Sequence, residues 1–313
     1  MKNLVMIYKQ KWSKIPTWEY LKEYDTSALN KAYLWIAKFA EKHGFKFYMS
    51  RFEWYKGNKF IKAWVVEKGK WKQVYNIKPD FIYDKTSLKP RYIQYKKLFT
   101  RKKIILNPYF IEELCSDKLK TFKIYPKLTP RLYLVKNKSQ LKKAMKKIRS
   151  YMAVLKPRAG SSAKGLIIDN KEKILKEKIK EEMVLQEFVD TTKGIPGLTK
   201  SVSDLRAIVI NGKINHALVR VAKKGFVSNV SRGGRVKFLK KSQIPRKVAK
   251  GVAFIDNKLR SYKPRMYTTD FVFDENGEIW LIEMNSKPGL FIVKEAKMKK
   301  QLMDDLFRAI KNR

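Results

Sequence analysis

Near the C-terminus, YTTDFVF (267–273) and EIWLIEMN (278–285) are two β-patterned runs separated by Asp274-Glu275-Asn276-Gly277. Asn-Gly is a strong signal for a two-residue hairpin turn. With that turn, residue 275 pairs with 278, and Asp270 lies directly opposite Glu283 on one face of the hairpin. Asn285 shares that face because strand side chains alternate with period 2, while Ile282 and Met284 point the other way. A three-residue turn would shift the register and turn Asp270 away. Facing carboxylates repel, and burying them unpaired is costly. A divalent cation resolves the conflict: Asp, Glu and Asn supply hard oxygens suited to Mg²⁺, which keeps some waters and takes further ligands from nucleotide phosphates. The plainer alternative is a salt-bridged pair of surface carboxylates in a basic chain.

A second constellation is RAGSSAKG (158–165), between YMAVLKP and LIIDN. Gly160, Ser161, Ser162 and Gly165 form a small-residue loop whose N–H groups and hydroxyls suit phosphate oxygens, with Lys156, Arg158 and Lys164 supplying charge. No Gly-Lys-Ser/Thr opens a helix, so this is not a Walker A motif, and a hairpin turn that binds nothing fits equally well. Arg206 sits among apolar strand residues and Arg232 in a Gly-rich loop. Buried arginines need anionic partners, either a phosphate or the nearby Asp204 and Asp190.

The elements that must position these residues alternate between strands and helices. NLVMIY reads as a strand, and TSALNKAYLWIAKFAEKHG as a helix ending at Gly44. FKFYMSRFEWY, FIKAWVVEKGKWKQVYN and PDFIYD are β-rich, with a turn at Lys68-Gly69. LCSDKLKTFK contains a helix start with Ser116 or Asp117 as N-cap, and KSQLKKAMKKIRSYM reads as an amphipathic helix with a wet face of lysines. YMAVLKP and LIIDN form a hairpin around the Gly/Ser loop, VLQEFVD is a strand, SDLRAIVINGKINHALVRVA turns at Asn211-Gly212, and SNVSRGG is a polar basic loop. The tryptophans at 12, 18, 35, 54, 64 and 71 fit scattered core packing better than a row of base-stacking platforms.

Composition limits the rest. The 313 residues suggest about two domains, and 44% hydrophobic with 13% aromatic content excludes a disordered or collagen-like chain. The net charge is +44, which raises nucleic acid, an anionic surface or an acidic substrate as partners. Yet 57 Lys accompany only 15 Arg, and recognition of phosphate draws more heavily on the bidentate fork of Arg, so compositional enrichment explains the charge as well. Cys115 is the single cysteine, and His43 and His216 are far apart, which excludes a Cys zinc site and a His-rich one; a metal here is a hard ion on oxygen. No apolar run approaches a membrane span and MKNLVMIYKQ lacks a secretory pattern, so the expectation is a soluble, cytoplasmic protein.

Taken in order, DKLKT (117–121), VLKPRAGSSAKG (154–165), LQEFV (185–189), SDLRAIVINGK (203–213), SNVSRGG (228–234) and WLIEMNSKPGL (280–290) resemble the ATP-grasp superfamily. The last two are especially similar to YheC/YheD-type proteins of spore-forming bacteria, and to ribosomal-protein and lysine-biosynthesis glutamate ligases. The resemblance spans about 115 to 292 and implies an α/β (α+β) ATP-grasp fold. It divides the chain into a pre-grasp α/β domain at 1–112, a first grasp subdomain with the phosphate loop at 113–190, and a second with the Mg²⁺ site at 191–313. It also implies roles. Lys118 and Lys156 would contact nucleotide phosphates, Gly160 to Gly165 would cover them, and Gln186, Glu187 and Val189 would hold adenine. Arg206 would bind the transferring phosphate, with Asn229 and Arg232 close to the acyl-phosphate region. Asp270, Glu283 and Asn285 match the magnesium ligands.

The cofactors implied are ATP and Mg²⁺, with one or two ions and Mn²⁺ as a substitute. The activity implied is ATP-dependent ligation of a carboxylate to an amine through an acyl phosphate, the acceptor being a small molecule or, given the positive charge, an acidic peptide or protein. Nucleic acid is compatible as a partner without being required. Two rivals remain: a kinase on the same fold, and a non-catalytic basic protein that binds polyanions or a spore surface.

Overall fold

The apolar run at the N-terminus forms β1 (Lys2–Ile7), and Leu4 to Ile7 are fully buried. The computed structural model describes residues 1–8, 26–160, 163–228, 233–289 and 296–312. By internal packing the chain divides into two units. One comprises Met1–Ile111, Ser261–Met266 and Gly289–Arg313; the other comprises Glu112–Arg260 and Tyr267–Pro288.

In the first unit α1 (Thr26–Lys42) follows β1 and stops where Gly44 takes a positive φ of 81°. Next come β2 (Phe45–Ser50), the small hairpin β3 (Tyr55–Lys56) and β4 (Lys59–Phe60), then β5 (Ala63–Glu67) and β6 (Lys70–Val74) around the expected Lys68-Gly69 turn. β7 (Phe81–Asp84), α2 (Pro90–Arg101) and β8 (Ile105–Leu106) complete a six-stranded sheet in the order β6-β5-β2-β1-β7-β8. Strands β2, β1, β7 and β8 run parallel, and β5 and β6 join antiparallel. Pro90 opens α2 at a position whose N–H needs no intrahelical partner. Tyr92 and Phe99 from α2 pack with Val5, Ile7, Phe52 and Phe60 in one core. Trp64 is buried and Trp35 stacks on Phe39, in line with a packing use for these rings; Trp12 and Trp18 lie outside the described residues. α3 (Tyr109–Ser116) carries the chain onward.

The second unit holds two antiparallel sheets. α4 (Lys118–Ile124) is capped by Asp117, one of the two expected caps, whose carboxylate accepts from Leu119 and Lys120 N–H. β9 (Leu132–Val135), α5 (Lys138–Met145), β10 (Met152–Pro157), β11 (Ile167–Asn170), α6 (Lys171–Ile174) and β12 (Met183–Glu187) build a four-stranded sheet in the order β11-β10-β12-β9. Helix α5 is shorter than its amphipathic pattern predicts, because β10 starts at Met152 and residues 146 to 151 must connect the two. Leu141, Met145, Ile174 and Leu185 share the core beneath.

The second sheet, in the order β15-β14-β13-β16-β17, contains β13 (Ser203–Ile210), β14 (Lys213–Val221), β15 (Arg235–Leu239), β16 (Met266–Phe273) and β17 (Ile279–Asn285). Asn211-Gly212 makes the expected two-residue turn, with φ values of 45° and 88°. The turn between β16 and β17 differs from expectation. Its loop has three residues, Glu275 to Gly277: Phe273 pairs with Ile279, Gly277 N–H donates to Asp274 O, and Gly277 has a φ of 71°. The Asp274 carboxylate stabilises this form by accepting from Asn276 and Glu278 N–H and from the Trp280 indole. A bulge between Asp270 and Phe271 then adds one residue, Ile282, and brings Asp270 opposite Glu283 after all.

α7 (Arg246–Asn257) buries Val248, Gly251, Val252 and Ile255, and Gly251 lies so close to the sheet that a Cβ there would come within 2.8 Å of Ile279 Cδ1 and 3.2 Å of Phe271 Cζ. In the first unit α8 (Ala296–Lys311) buries Leu302, Met303, Leu306 and Phe307, and Asp304 pairs with His43, the residue after α1, at 2.9 Å. Overpacking a close approach of this kind costs roughly 1–3 kcal/mol. Gly251→Val therefore lowers the free energy of unfolding by about that amount, as urea denaturation followed by circular dichroism will measure; unchanged stability would contradict the close packing of α7 on β16 and β17.

Candidate active site

One face of the five-stranded sheet gathers five charged groups. Asp204 and Arg206 are two apart on β13, Arg220 of β14 is the cross-strand partner of Asp204, Asp270 lies on the neighbouring β16, and Glu283 is opposite it on β17. Arg206 grips Asp270 with both arms, Nε to Oδ1 at 2.7 Å and Nη2 to Oδ2 at 2.6 Å. Arg220 donates to the same Oδ2 at 2.6 Å and, through Nε, to Asp204 Oδ1 at 2.7 Å. Ser228 donates to the other oxygen of Asp204. Asp204 and Asp270 are both 1% exposed, so each carboxylate depends on these donors in place of water. Burial pushes the Asp270 carboxyl upward, but the two guanidinium groups outweigh it and hold it at about 2. For Asp204 burial prevails and, with the charge of Asp270, raises the carboxyl above its ordinary value despite Arg220.

The opposite wall comes from the four-stranded sheet and α4. Lys156, on β10, is buried, and its Nζ lies 3.4 Å from Ile282 O. Lys118, the first residue of α4, reaches Gly160 O at 3.1 Å. Burial lowers the Lys156 ammonium to about 8, reinforced by the charge of Lys118 and opposed by Glu283. Burial likewise lowers Lys118. Glu283 moves the other way: burial and the neighbouring Asp270 raise its carboxyl, with Lys118 and Lys156 pulling it back. Between the walls is a cavity, open to solvent, lined by Lys118, Lys156, Gly160, Gln186, Glu187, Val189, Asp270 and Glu283 among others. Gln186 is buried, with its amide 3.5 Å from Pro130 O. Glu187 N–H donates to Arg131 O, and Phe188 and Phe226 meet edge to face at the same end of the cavity.

Other candidates from the sequence are placed differently. Arg158 does not line the cavity. Its Nε and Nη2 bind Asp117 at 3.0 and 2.5 Å and its Nη1 binds Glu182 at 2.8 Å, so its charge is spent on protein carboxylates. Because Asp117 caps α4 and Lys118 N–H donates to Arg158 O, this cluster sets where Lys118 begins. Gly165 also stands off the cavity, in the β10–β11 connection with a φ of 69° against Pro157. Arg206 makes contact through Asp270 and does not line the cavity itself. Asn285 lies two residues beyond Glu283 with its Oδ1 accepting from Lys287 N–H. Ile282, expected to point away, borders the cavity because it is the bulged residue. Ser161, Ser162, Asn229 and Arg232 lie outside the described residues. Arg220 was not singled out from the sequence: counted from the Asn211-Gly212 turn it falls opposite residue 203, and only a bulge between Ile208 and Val209 pairs it with Asp204.

The donor set suits a divalent cation. The Glu283 side chain makes no hydrogen bond or ion pair among the described residues and faces the Asp270 carboxylate, so its oxygens could join a cation. Asn285 Oδ1 retains a second lone pair beside its bond from Lys287. All of these are oxygen ligands, the kind that Mg²⁺ takes.

Comparison with known proteins follows the same outline. Residues 115–310 match the RimK-like ATP-grasp domain. The tetrahydromethanopterin:alpha-L-glutamate ligase of Methanocaldococcus jannaschii is 29% identical over 169 residues, 51% of this chain and 55% of that protein, so the match spans about half the length of this curated relative. Among solved structures, D-alanyl-alanine synthetase A from Vibrio cholerae superposes with a TM-score of 0.65 at 13% identity, covering 99% of this chain and 98% of the other. A RimK domain ATP-grasp protein from Sphaerobacter thermophilus gives 0.62 at 10% identity, with 97% and 98% covered. A RiPP-associated ATP-grasp ligase from Chryseobacterium gregarium, solved with ADP and a leader and core peptide, gives 0.61 at 14% identity, with 97% and 96% covered. At such identities these three share the fold, and it is the domain match over most of the chain, together with the two-walled cavity, that makes this protein a member of the RimK-like ATP-grasp family.

Proposed function

We propose that the protein is an ATP-dependent carboxylate–amine ligase. One observation carries the reading: Lys118 and Lys156 on one wall of the cavity stand across from Asp270 and Glu283 on the other. Phosphoryl transfer to a carboxylate brings two anions together, and its barrier falls where fixed cations receive the charge. In the reaction, an oxygen of the substrate carboxylate bonds to the γ-phosphorus of ATP as the bond to the β-phosphate oxygen breaks, leaving ADP and an acyl phosphate. An amine then adds at the acyl carbon, the carbon–oxygen bond to the phosphate breaks, phosphate leaves with that oxygen and the bonding pair, the nitrogen loses a proton, and an amide remains. Lys118 and Lys156 would bind phosphate oxygens, and Gln186, Glu187 and Val189 would hold the adenine end. Asp270, Glu283 and Asn285 would hold Mg²⁺, whose chemistry is to neutralise and orient the phosphates.

The relative's name, a ligase of L-glutamate, and the neighbour solved with a peptide support an amino acid or peptide among the substrates. An acidic peptide fits the net charge of +44. The first unit, around residues 1–112, is proposed to select the acceptor, and kinship with YheC/YheD-type proteins belongs to this reading through the Asn285-Ser286-Lys287-Pro288-Gly289 segment. Among the described residues no helix is long and apolar enough to cross a membrane.

The test is release of ADP and phosphate from MgATP against a panel of amino acids and acidic peptides, with the new amide identified by mass. Glu283→Ala abolishes substrate-stimulated release; ADP release without phosphate and without an amide would point to a kinase, and none at all would overturn the ligase reading. The lowered ammonium of Lys156 adds a pH dependence. Below about pH 8 it is already charged in the free protein, whereas above that pH binding of a phosphate must draw in a proton. The dissociation constant for ADP, measured by calorimetry, therefore rises by up to roughly tenfold per pH unit above 8. Lys156→Gln binds more weakly throughout and removes this slope; a slope that survives the substitution would assign it to another group.

A further inference from the structure

Asp270 is offered to a cation by the reading above, yet it is already occupied. An ionised carboxylate has about four lone-pair positions. Three of those on Asp270 accept from Arg206 Nε, Arg206 Nη2 and Arg220 Nη2, all within 2.7 Å. Two unit positive charges at that range repel any metal ion approaching the fourth position. The Glu283 side chain, by contrast, makes no hydrogen bond or close ion pair among the described residues and feels Lys118 and Lys156 only at longer range. The two carboxylates that face each other are thus unequal: one is open and the other is held.

Arg220 differs from Arg206 in having a second anchor. Its Nε stays on Asp204 Oδ1 at 2.7 Å, and Asp204 is fixed in turn by Ser228. The side chain is 4% exposed. Asp204, Arg206, Arg220 and Asp270 balance two positive against two negative charges, so these four groups neutralise one another. Losing Asp270 to a cation leaves Arg220 paired with Asp204 and releases Arg206 from its carboxylate partner. Resting on the ligase reading, we infer that Arg220 is a positioning residue that competes with the divalent cation for Asp270: it neutralises the carboxylate and yields it to the cation while still docked on Asp204.

Competition has a sign that a merely structural role lacks. Removing a residue needed only for shape weakens cation binding, whereas removing a competitor strengthens it. The experiment titrates Mn²⁺ into the full chain saturated with ADP and reads free Mn²⁺ by electron paramagnetic resonance, for the wild type, Glu283→Ala, Arg220→Gln and Arg220→Lys, with thermal melts confirming folding. The expected result is a site lost in Glu283→Ala and bound on the order of tenfold more tightly in Arg220→Gln, since one positive charge beside the ligand is gone. Arg220→Lys, which cannot span both carboxylates with a planar fork, binds Mn²⁺ more tightly by a smaller factor and keeps the buried charge count if Arg220→Gln does not fold. Equal or weaker binding in the folded variants, beside a wild-type site that Glu283→Ala removes, overturns the competition and leaves the ligase reading standing. A wild type with no Glu283-dependent Mn²⁺ site overturns both.

Discussion

A carboxylate that is 1% exposed must be neutralised by something, and Asp270 imposes that condition on its whole sheet. Its answer is two guanidinium groups from two other strands, one of which needs a further carboxylate, Asp204, which in turn takes a hydroxyl from Ser228. Each partner must stand on the same face, so β13, β14 and β16 have to pair in one order and one register. Breaking a link would leave a buried charge without a counterpart, a loss of roughly 3–5 kcal/mol. The cluster therefore couples the integrity of the sheet to the site that it carries.

Two bulges meet that condition. In the β13–β14 hairpin the extra residue is Asn215 and in the β16–β17 hairpin it is Ile282; the first brings Arg220 opposite Asp204 and the second brings Asp270 opposite Glu283. Without them, period-2 alternation would send one member of each pair to the α7 side of the sheet. Bulges also place Ile282 at the cavity edge, where its carbonyl lies 3.4 Å from the Lys156 ammonium. On the other wall the device is a helix start: Asp117 caps α4, Arg158 locks Asp117 and Glu182 together, and Lys118 emerges at the cavity with its ammonium on Gly160 O. Site residues on both walls are thus aimed by backbone features backed by ion pairs, which is what charge-receiving chemistry requires of groups that must not reorganise.

Much of this was legible in the residues. Alternation and short apolar runs outlined β1, β2, β10, β12, β13 and β14, the Asn211-Gly212 pair marked its turn, and Asp117 announced α4. The pairing of Asp270 with Glu283 was also anticipated, but through a two-residue turn that the chain does not use. Asp274 and Gly277 favour a three-residue loop, and the bulge cancels the resulting shift. Arg158 looked like a phosphate ligand because its sequence neighbours are Lys156 and Gly160; the carboxylates that claim it are 41 and 24 residues away.

Local preferences act over a few residues, so the sequence by itself determined where most strands and helices and the Asn211-Gly212 turn form, which faces are apolar, and the order in which the motifs of one family follow one another. Bulge positions and ion-pair partners are settled by competition among strands far apart in the chain, where burying one more charge or offsetting one more residue changes the balance by a few kcal/mol. Only the tertiary structure could decide that Arg220 joins the site, that Arg158 serves the cap of α4, and that of two facing carboxylates Asp270 is held while Glu283 is open.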